Sequence, residues 1–323
     1  GSVPLAALHK RIHDRGSIVP GRAVDSSGAD PLAARAHMLR GIIKTLRPHQ
    51  WVKNLFVLAP MFFAKDLLTR EHGLNLQVTG LAVAATAVFC LLAGAVYCIN
   101  DLADVEADRA HPVKRERPIA SGVVPEPTAK VVAAGLVVIS LSVAFAMDWR
   151  FGAVAAVYFG ENLFYTFRAK NIPFLDVSLI AFGFVLRVLA GGYATDVPVS
   201  GYMVACTALL ALFLGLGKRR HELGVEVSGK TRKVLRAYSE RGLDAALALT
   251  GAATVATYVA YTLDADTKAF FQSDSLWLTT PFTLFGIVRF LMLVSGRAGR
   301  GHKSESPTQE MLRDVPFVLN LTL

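Results

Sequence analysis

The sequence has few cysteines, and they have no arrangement in which to act together. There are three in 323 residues, Cys90, Cys98 and Cys206. Each sits in an apolar run, and their spacing suits neither a disulfide framework nor a metal knuckle. They read as small buried residues. A secretory signal is also missing, since no basic start followed by a short apolar core precedes the organised part of the chain. Nor is there the inverted pair of interrupted apolar segments that marks many transporters. Above all, the chain is short of polarity. Hydrophobic residues make up 53% of it, and the mean hydropathy is +0.43. That excludes a soluble protein of this size and points to a polytopic membrane protein. The formal net charge is +9. In a soluble chain this would suggest nucleic acid. Here lysine and arginine kept in cytoplasmic loops account for it, and no nucleic acid is implied.

Apolar segments then set the architecture. Residues 1–39 read as a mobile or weakly helical cytoplasmic tail, with Gly1-Ser2 as an expression scar; a short surface-lying amphipathic segment is the alternative. Residues 40–323 form the transmembrane domain. Spans are expected near Leu55 to Ala64, Val78 to Ile99, Thr128 to Met147, Phe151 to Phe167, Phe174 to Ala194, Tyr202 to Gly217, Leu243 to Leu263 and Leu276 to Val294. A ninth, Met311 to Leu323, stops too early to cross: either the sequence ends inside this helix or the helix is only interfacial. The expectation is an all-α transmembrane bundle of eight full spans and a truncated ninth, because lipid offers loose backbone groups no partner. With the N-terminus inside, Lys114, Arg115, Arg117, Arg168, Lys170, Lys218, Arg219, Arg220, Lys230, Arg232, Lys233, Arg236, Arg297, Arg300 and Lys303 face the cytoplasm. Only Lys65, Arg70, Arg150 and Lys268 face outward, which is the positive-inside pattern.

The second span ends in N-D-L-A-D-V-E-A-D-R-A-H-P-V-K-R-E-R-P-I-A-S-G, Asn100 to Gly122. Asp101, Asp104 and Asp108 fall at i, i+3 and i+7, one face of a helix. Three like charges there call for a cation between them, and carboxylate oxygens suit Mg²⁺. Lys114, Arg115 and Arg117 follow at once. An acidic face beside a basic loop suits a pyrophosphate; the bland alternative is a salt-bridged helix end. Elsewhere, Lys53 in R-P-H-Q-W-V-K-N either snorkels or contacts a phosphate. Tyr165 and Lys170 close the fourth span. Arg187, in V-L-R-V-L-A-G-G, needs a polar cavity or a phosphate, with Asp176 a candidate partner. In G-K-R-R-H-E, Lys218 and Glu222 are i, i+4 neighbours that could pair, and the basic cluster could be a plain membrane anchor. His111 and His221 read as loop histidines with ordinary partners.

N-D-x-x-D-x-x-x-D at the end of the second span, followed by R-P-I-A-S-G, resembles the UbiA superfamily of intramembrane prenyltransferases, over residues 40–323. The resemblance implies a nine-helix bundle with a central cavity open to the cytoplasm and to lipid. It also implies Mg²⁺ on Asp101, Asp104 and Asp108, the catalytic and metal residues. Aromatic prenyltransferases of that superfamily carry a second aspartate-rich motif after the sixth span. Here Lys218-Arg219-Arg220-His221-Glu222 stands in its place. In this the chain is similar to the polyprenyl-phosphate phosphoribosyltransferase branch, which implies phosphoribosyl pyrophosphate (PRPP) as donor and a polyprenyl phosphate such as decaprenyl phosphate as acceptor. The product would be a precursor of lipid-linked arabinose for cell-wall arabinan, made at the bacterial plasma membrane with the site facing the cytoplasm. The implied substrate-binding residues are Lys53, Asn100, Lys114, Arg117, Tyr165, Lys170, Arg187, Lys218, Arg219 and Glu222. An aromatic prenyltransferase and a non-catalytic lipid transporter are the competing readings. A homo-oligomer is neither required nor excluded.

Overall fold

Backbone groups that cannot reach water must pair within their own segment, and the chain does this almost entirely with helices. The computed structural model describes residues 31–63, 68–69, 73–224, 235, 237–295, 311 and 313–322. The expected tail up to residue 30, the inner-side cations Lys230, Arg232, Lys233, Arg236, Arg297, Arg300 and Lys303, and the outer Lys65 and Arg70 lie outside the described residues. Helix α1 (Pro31–Thr45) leads into a 3₁₀ segment, Pro48–Leu58, and the short α2 (Ala59–Phe63). Two strands of two residues each, β1 (Leu68–Thr69) and β2 (Gly73–Leu74), pair antiparallel. There follow α3 (Leu76–Ala103), α4 (Val105–Arg109), α5 (Glu126–Met147), α6 (Trp149–Phe167), α7 (Leu175–Thr195) and α8 (Gly201–Gly224). The chain continues through α9 (Glu240–Leu263), α10 (Ala265–Phe271), α11 (Thr280–Val294) and α12 (Val315–Thr322).

The all-α expectation holds. Among the described residues, six helices are long and apolar enough to cross a membrane: α3, α5, α7, Gly201–Leu223, α9 and Leu276–Val294. The expected fourth span is α6, of 19 residues, whose interior carries Glu161 and Asn162. The expected first span is the 3₁₀ segment with α2, and the expected ninth is the eight-residue α12. Helix α3 is the longest, with 28 residues. At 1.5 Å per residue it measures roughly 42 Å, against ~30 Å of hydrocarbon. The surplus lets its last turns, with Asn100 and Asp101, stand at a polar boundary. Asn75 caps its start by accepting a hydrogen bond from the Val78 amide at 3.2 Å.

Helix α3 packs on α5, α6, α7 and the 3₁₀ segment, and α7 packs on α6, α8 and the 3₁₀ segment. One core joins Val57, Phe89, Leu92, Phe151, Tyr158 and Leu186; another joins Val177, Phe213, Leu243, Leu247 and Phe290 on the other side of α7. Helix α7 thus stands between both cores. Its Gly191 lets the 3₁₀ segment approach to backbone contact: a Cβ there would lie 1.9 Å from the Val57 carbonyl oxygen. Backbone on both sides leaves nothing to swing aside. Gly191→Ala should therefore destabilise the protein by about 1–3 kcal/mol or more, the usual range for overpacking. Thermal unfolding in detergent checks this, and an unchanged midpoint would show that the two backbones separate freely.

Candidate functional site

The helix that delivers the aspartates does not stay straight. Asp104 has φ −101° and ψ 9°, which ends α3 at Ala103 and starts α4 at Val105. The i, i+3, i+7 face expected from spacing is thus broken at its middle member. Asp101 and Asp108 remain buried, while the Asp104 side chain is 42% exposed.

Each carboxylate has taken a cation from the chain itself. Arg117 Nη1 donates to Asp101 Oδ1 at 3.1 Å and to Asp108 Oδ2 at 2.6 Å, and so bridges the two. Lys170 Nζ donates to Asp104 Oδ1 at 2.9 Å. A further residue was missed by sequence reasoning. Arg47 Nη2 donates to Asp101 Oδ1 at 2.7 Å, and its guanidinium lies over the Tyr97 ring at 5.1 Å. Arg47 has φ 51° and ψ 61°, a left-handed conformation that costs a non-glycine residue energy and often accompanies function. The sequence signal was there: Arg47 opens the same R-P-H-Q-W-V-K-N stretch as Lys53. Asn100 Oδ1 accepts from the Thr166 hydroxyl, which ties α3 to the end of α6. Tyr165 is the neighbouring half-buried residue on α6.

The other expected ligands divide by burial. Lys53 is exposed, and the charges acting on it are those of Lys218, Arg187 and Arg47. Those four basic groups therefore converge from the 3₁₀ segment and its entry, α7 and α8. Lys114 is exposed on the loop after α4. Arg187 is placed differently from the sequence expectation. Its partners are Asn54 Oδ1, the Gly183 carbonyl oxygen and the Tyr158 hydroxyl oxygen, each at 2.8 Å, and not Asp176. All three guanidinium nitrogens are engaged by neutral oxygens, so it fastens the 3₁₀ segment and α6 to α7.

The pairing expected for Glu222 is also different. Arg219 is 2% exposed, with Nε 3.0 Å from Asp176 Oδ2, and it also pairs with Glu222. Glu222 goes to Arg219 and not to Lys218 because i, i+3 neighbours also share a helix face. The Tyr238 hydroxyl donates to Asp176 Oδ1 at 2.8 Å and accepts from the Phe174 amide at 2.6 Å. Burial, with the Asp176 carboxylate beside it, pushes the Tyr238 hydroxyl up to about 12, so it stays a neutral donor near pH 7. Arg220 pairs with Asp244 at 2.8 Å and Glu240 at 3.2 Å on α9. Of the three consecutive cations, only Lys218 is exposed. His221 is buried within α8 and not in a loop, whereas the His111 ring accepts turn amides from Val113 and Lys114.

The donor chemistry fits a hard divalent ion. Asp101 Oδ2 is buried and has no hydrogen-bond partner, and an orphaned carboxylate oxygen is costly unless something cationic can reach it. The arrangement is nevertheless not a preformed cage: no group of three or more His, Cys, Asp or Glu side chains among the described residues is gathered closely enough to hold a metal. Arg117 stands between Asp101 and Asp108, and Lys170 holds Asp104.

Arg219→Ala would leave Asp176 buried and unpaired. The expected loss is about 3–5 kcal/mol of stability, the usual cost of breaking one side of a buried pair. Substrate affinity, measured on whatever fraction stays folded, should change little. Normal unfolding with lost substrate affinity would return Arg219 to the ligand set.

Three comparisons place the chain among known proteins. The UbiA prenyltransferase family matches residues 57–218. Decaprenyl-phosphate phosphoribosyltransferase of Mycolicibacterium smegmatis is 36% identical over 304 residues, covering 91% of this chain and 94% of that one. The enzyme of the same name from Corynebacterium glutamicum is 38% identical over 229 residues, 69% of this chain and 68% of that one. A UbiA homolog from Archaeoglobus fulgidus, solved with DMAPP and Mg²⁺, superposes with a TM-score of 0.65 at 18% identity, covering 87% of this chain and 95% of that one. The last shows a shared fold. Together with the helical membrane architecture, the family match and the relatives identify the chain as an enzyme that belongs to the UbiA prenyltransferase family.

Proposed function

We propose that the chain transfers 5-phosphoribose from PRPP to a polyprenyl phosphate, decaprenyl phosphate being the type acceptor, and releases pyrophosphate. One observation carries the reading. Partly exposed cations, Arg47, Arg117 and Lys170, pair with the carboxylates of a single acidic helix end, and the exposed Lys53 and Lys218 add charge on the 3₁₀ segment and α8. Cations in that number suit two phosphorylated substrates held close together, and relatives at 36–38% identity carry the matching name.

The division of labour follows from charge. Asp101, Asp104 and Asp108 would hold Mg²⁺, which supplies Lewis-acid stabilisation to a departing pyrophosphate. Arg117, Arg47 and Lys170 stand on those carboxylates and are within reach of the same group. Lys53 and Lys218, with Lys114 on the adjoining loop, hold the remaining phosphates against their mutual repulsion. A lipid-phosphate oxygen attacks ribose C1; the C1–O bond to pyrophosphate breaks, and pyrophosphate leaves with the electron pair. A phosphate monoester is already ionised near neutral pH, so no strong base is required. Neither His111 nor His221 is needed. We assign the bundle to the bacterial plasma membrane with this end in the cytoplasm. Arg150 lies at the opposite end of α6 from Lys170, roughly 27 Å away along the helix at 1.5 Å per residue.

Purified protein with radiolabelled PRPP and a polyprenyl phosphate should move label into an organic phase. Asp101→Asn, Asp104→Asn and Asp108→Asn should each abolish that transfer without unfolding the protein. Lys218→Ala should weaken use of one substrate by about 1.5–3 kcal/mol, the worth of a hydrogen bond to a charged group. Label moving instead from geranyl pyrophosphate to an aromatic acceptor would replace this reading. The topology has its own check: cysteine placed at positions 115 and 170 should label from the cytoplasmic side only, and at position 150 from outside only.

A further inference from the structure

A metal ion at this site would have to compete with cations already on the chain. Arg117 Nη1 lies 3.1 Å from Asp101 Oδ1 and 2.6 Å from Asp108 Oδ2. Arg47 Nη2 adds a contact of 2.7 Å to the same Asp101 oxygen, and Lys170 holds Asp104 at 2.9 Å. These are also the cations that stand where a substrate phosphate would bind. One side chain cannot serve both ends at once. An arginine bridging two carboxylates keeps a divalent ion off them by charge and by volume, whereas an arginine on a phosphate leaves them open.

Burial shows which partner can move. Asp101 and Asp108 are 2% and 3% exposed at the side chain, whereas Arg117 is 29% exposed and Arg47 27%. Arg117 lies just past the 3₁₀ turn Lys114–Glu116 in extended backbone, with φ −62° and ψ 142°. The carboxylates are fixed by the helix, and the cations sit on the connecting segments. Exchange of partners also conserves pairing. Arg117 with carboxylate becomes Arg117 with pyrophosphate, and the carboxylates pass from Arg117 to the metal. Binding either newcomer alone leaves some partly buried charge unmatched.

We propose that Arg117 is a counter-ion gate: it holds Asp101 and Asp108 closed to divalent metal until a pyrophosphate group draws its guanidinium away, so that metal and pyrophosphate bind as a coupled pair. The gate rests on the reading of Asp101 and Asp108 as metal ligands, and its test separates the two. Mn²⁺ is the probe, its free concentration read by electron paramagnetic resonance on purified protein, with and without inorganic pyrophosphate and against a protein-free pyrophosphate blank. The wild type should take up Mn²⁺ weakly alone and more tightly with pyrophosphate. Arg117→Gln should tighten Mn²⁺ binding without pyrophosphate by ~10-fold, within the 5–150-fold of ordinary coupling between ligands. It should also reduce the enhancement that pyrophosphate brings. Arg115→Gln removes an exposed charge from the same loop that touches neither carboxylate, and should stay near the wild type because solvent screens it. Should Arg117→Gln fail to fold, Arg47→Gln removes the other cation on Asp101 and must shift Mn²⁺ affinity in the same direction. Equal tightening in Arg117→Gln and Arg115→Gln would reduce the gate to a general field effect and overturn it. So would wild-type Mn²⁺ binding that pyrophosphate leaves unchanged. If Mn²⁺ uptake with pyrophosphate is the same in Asp101→Asn and Asp108→Asn as in the wild type, the metal reading fails, and the gate with it.

Discussion

A carboxylate buried at the end of an apolar helix must be neutralised, and the neutralisation of Asp101 organises this end of the molecule. Its Oδ1 collects Arg47 from the connection after α1 and Arg117 from the loop after α4. Asp104, three residues on, collects Lys170 from the turn after α6. Three segments far apart in sequence are thereby drawn to one helix terminus. The loop beneath them is packed as well as paired, since Ile119 and Val124 bury against Cys98, Val105 and Ala129. Apolar packing sets where the loop lies, and the ion pairs set which way its arginine points.

A second constraint lies deeper. Gly191 removes the side chain that would keep the 3₁₀ segment away from α7. At the resulting distance Asn54 can reach Arg187, and Arg187 can reach Tyr158 on α6. An intramembrane arginine is expensive unless its donors are satisfied, and here neutral oxygens satisfy them. The outcome is mechanical: the segment carrying Lys53 and following Arg47 is fixed against the most buried part of the bundle. For the proposed transfer between two anions, cations mounted on such a rigid frame would leave little ordering to do on binding.

Much of this was legible in the sequence. The apolar runs gave helices with boundaries within a few residues for α3, α5, α6 and α7, because length and hydropathy alone fix a helix in lipid. The acidic motif and its flanking cations were legible as a candidate site because charge at a membrane boundary is seldom accidental, and the structure brings those charges together. Long-range pairing was not legible. Sequence spacing proposed Asp176 for Arg187 and Glu222 for Lys218, both local choices. The fold instead brings Asp176 to Arg219 and Asn54 to Arg187, 133 residues apart. The break at Asp104 was also invisible, since no glycine or proline marks it. Arg47 escaped for a related reason: its left-handed backbone and its partner on α3 are both products of packing.

Burial finally separates two kinds of ion pair that look alike in a list of charges. Asp176 and Arg219 are 1% and 2% exposed, and Tyr238 and Glu222 complete their shell. Separating them would strand charge in a medium that cannot solvate it, at a cost of about 3–5 kcal/mol. Pairs with both partners in water are worth far less, often about 0–1 kcal/mol, because water replaces what is lost. Arg47, Arg117 and Lys170 each pair a partly exposed cation with an aspartate of the acidic end. Such a cation can be solvated as it leaves, but the buried Asp101 and Asp108 need a replacement partner when it does. The same residue types therefore do two jobs, and solvent access decides which. Arg219 holds α7 and α8 in register, while Arg117, Arg47 and Lys170 remain partly open to solvent.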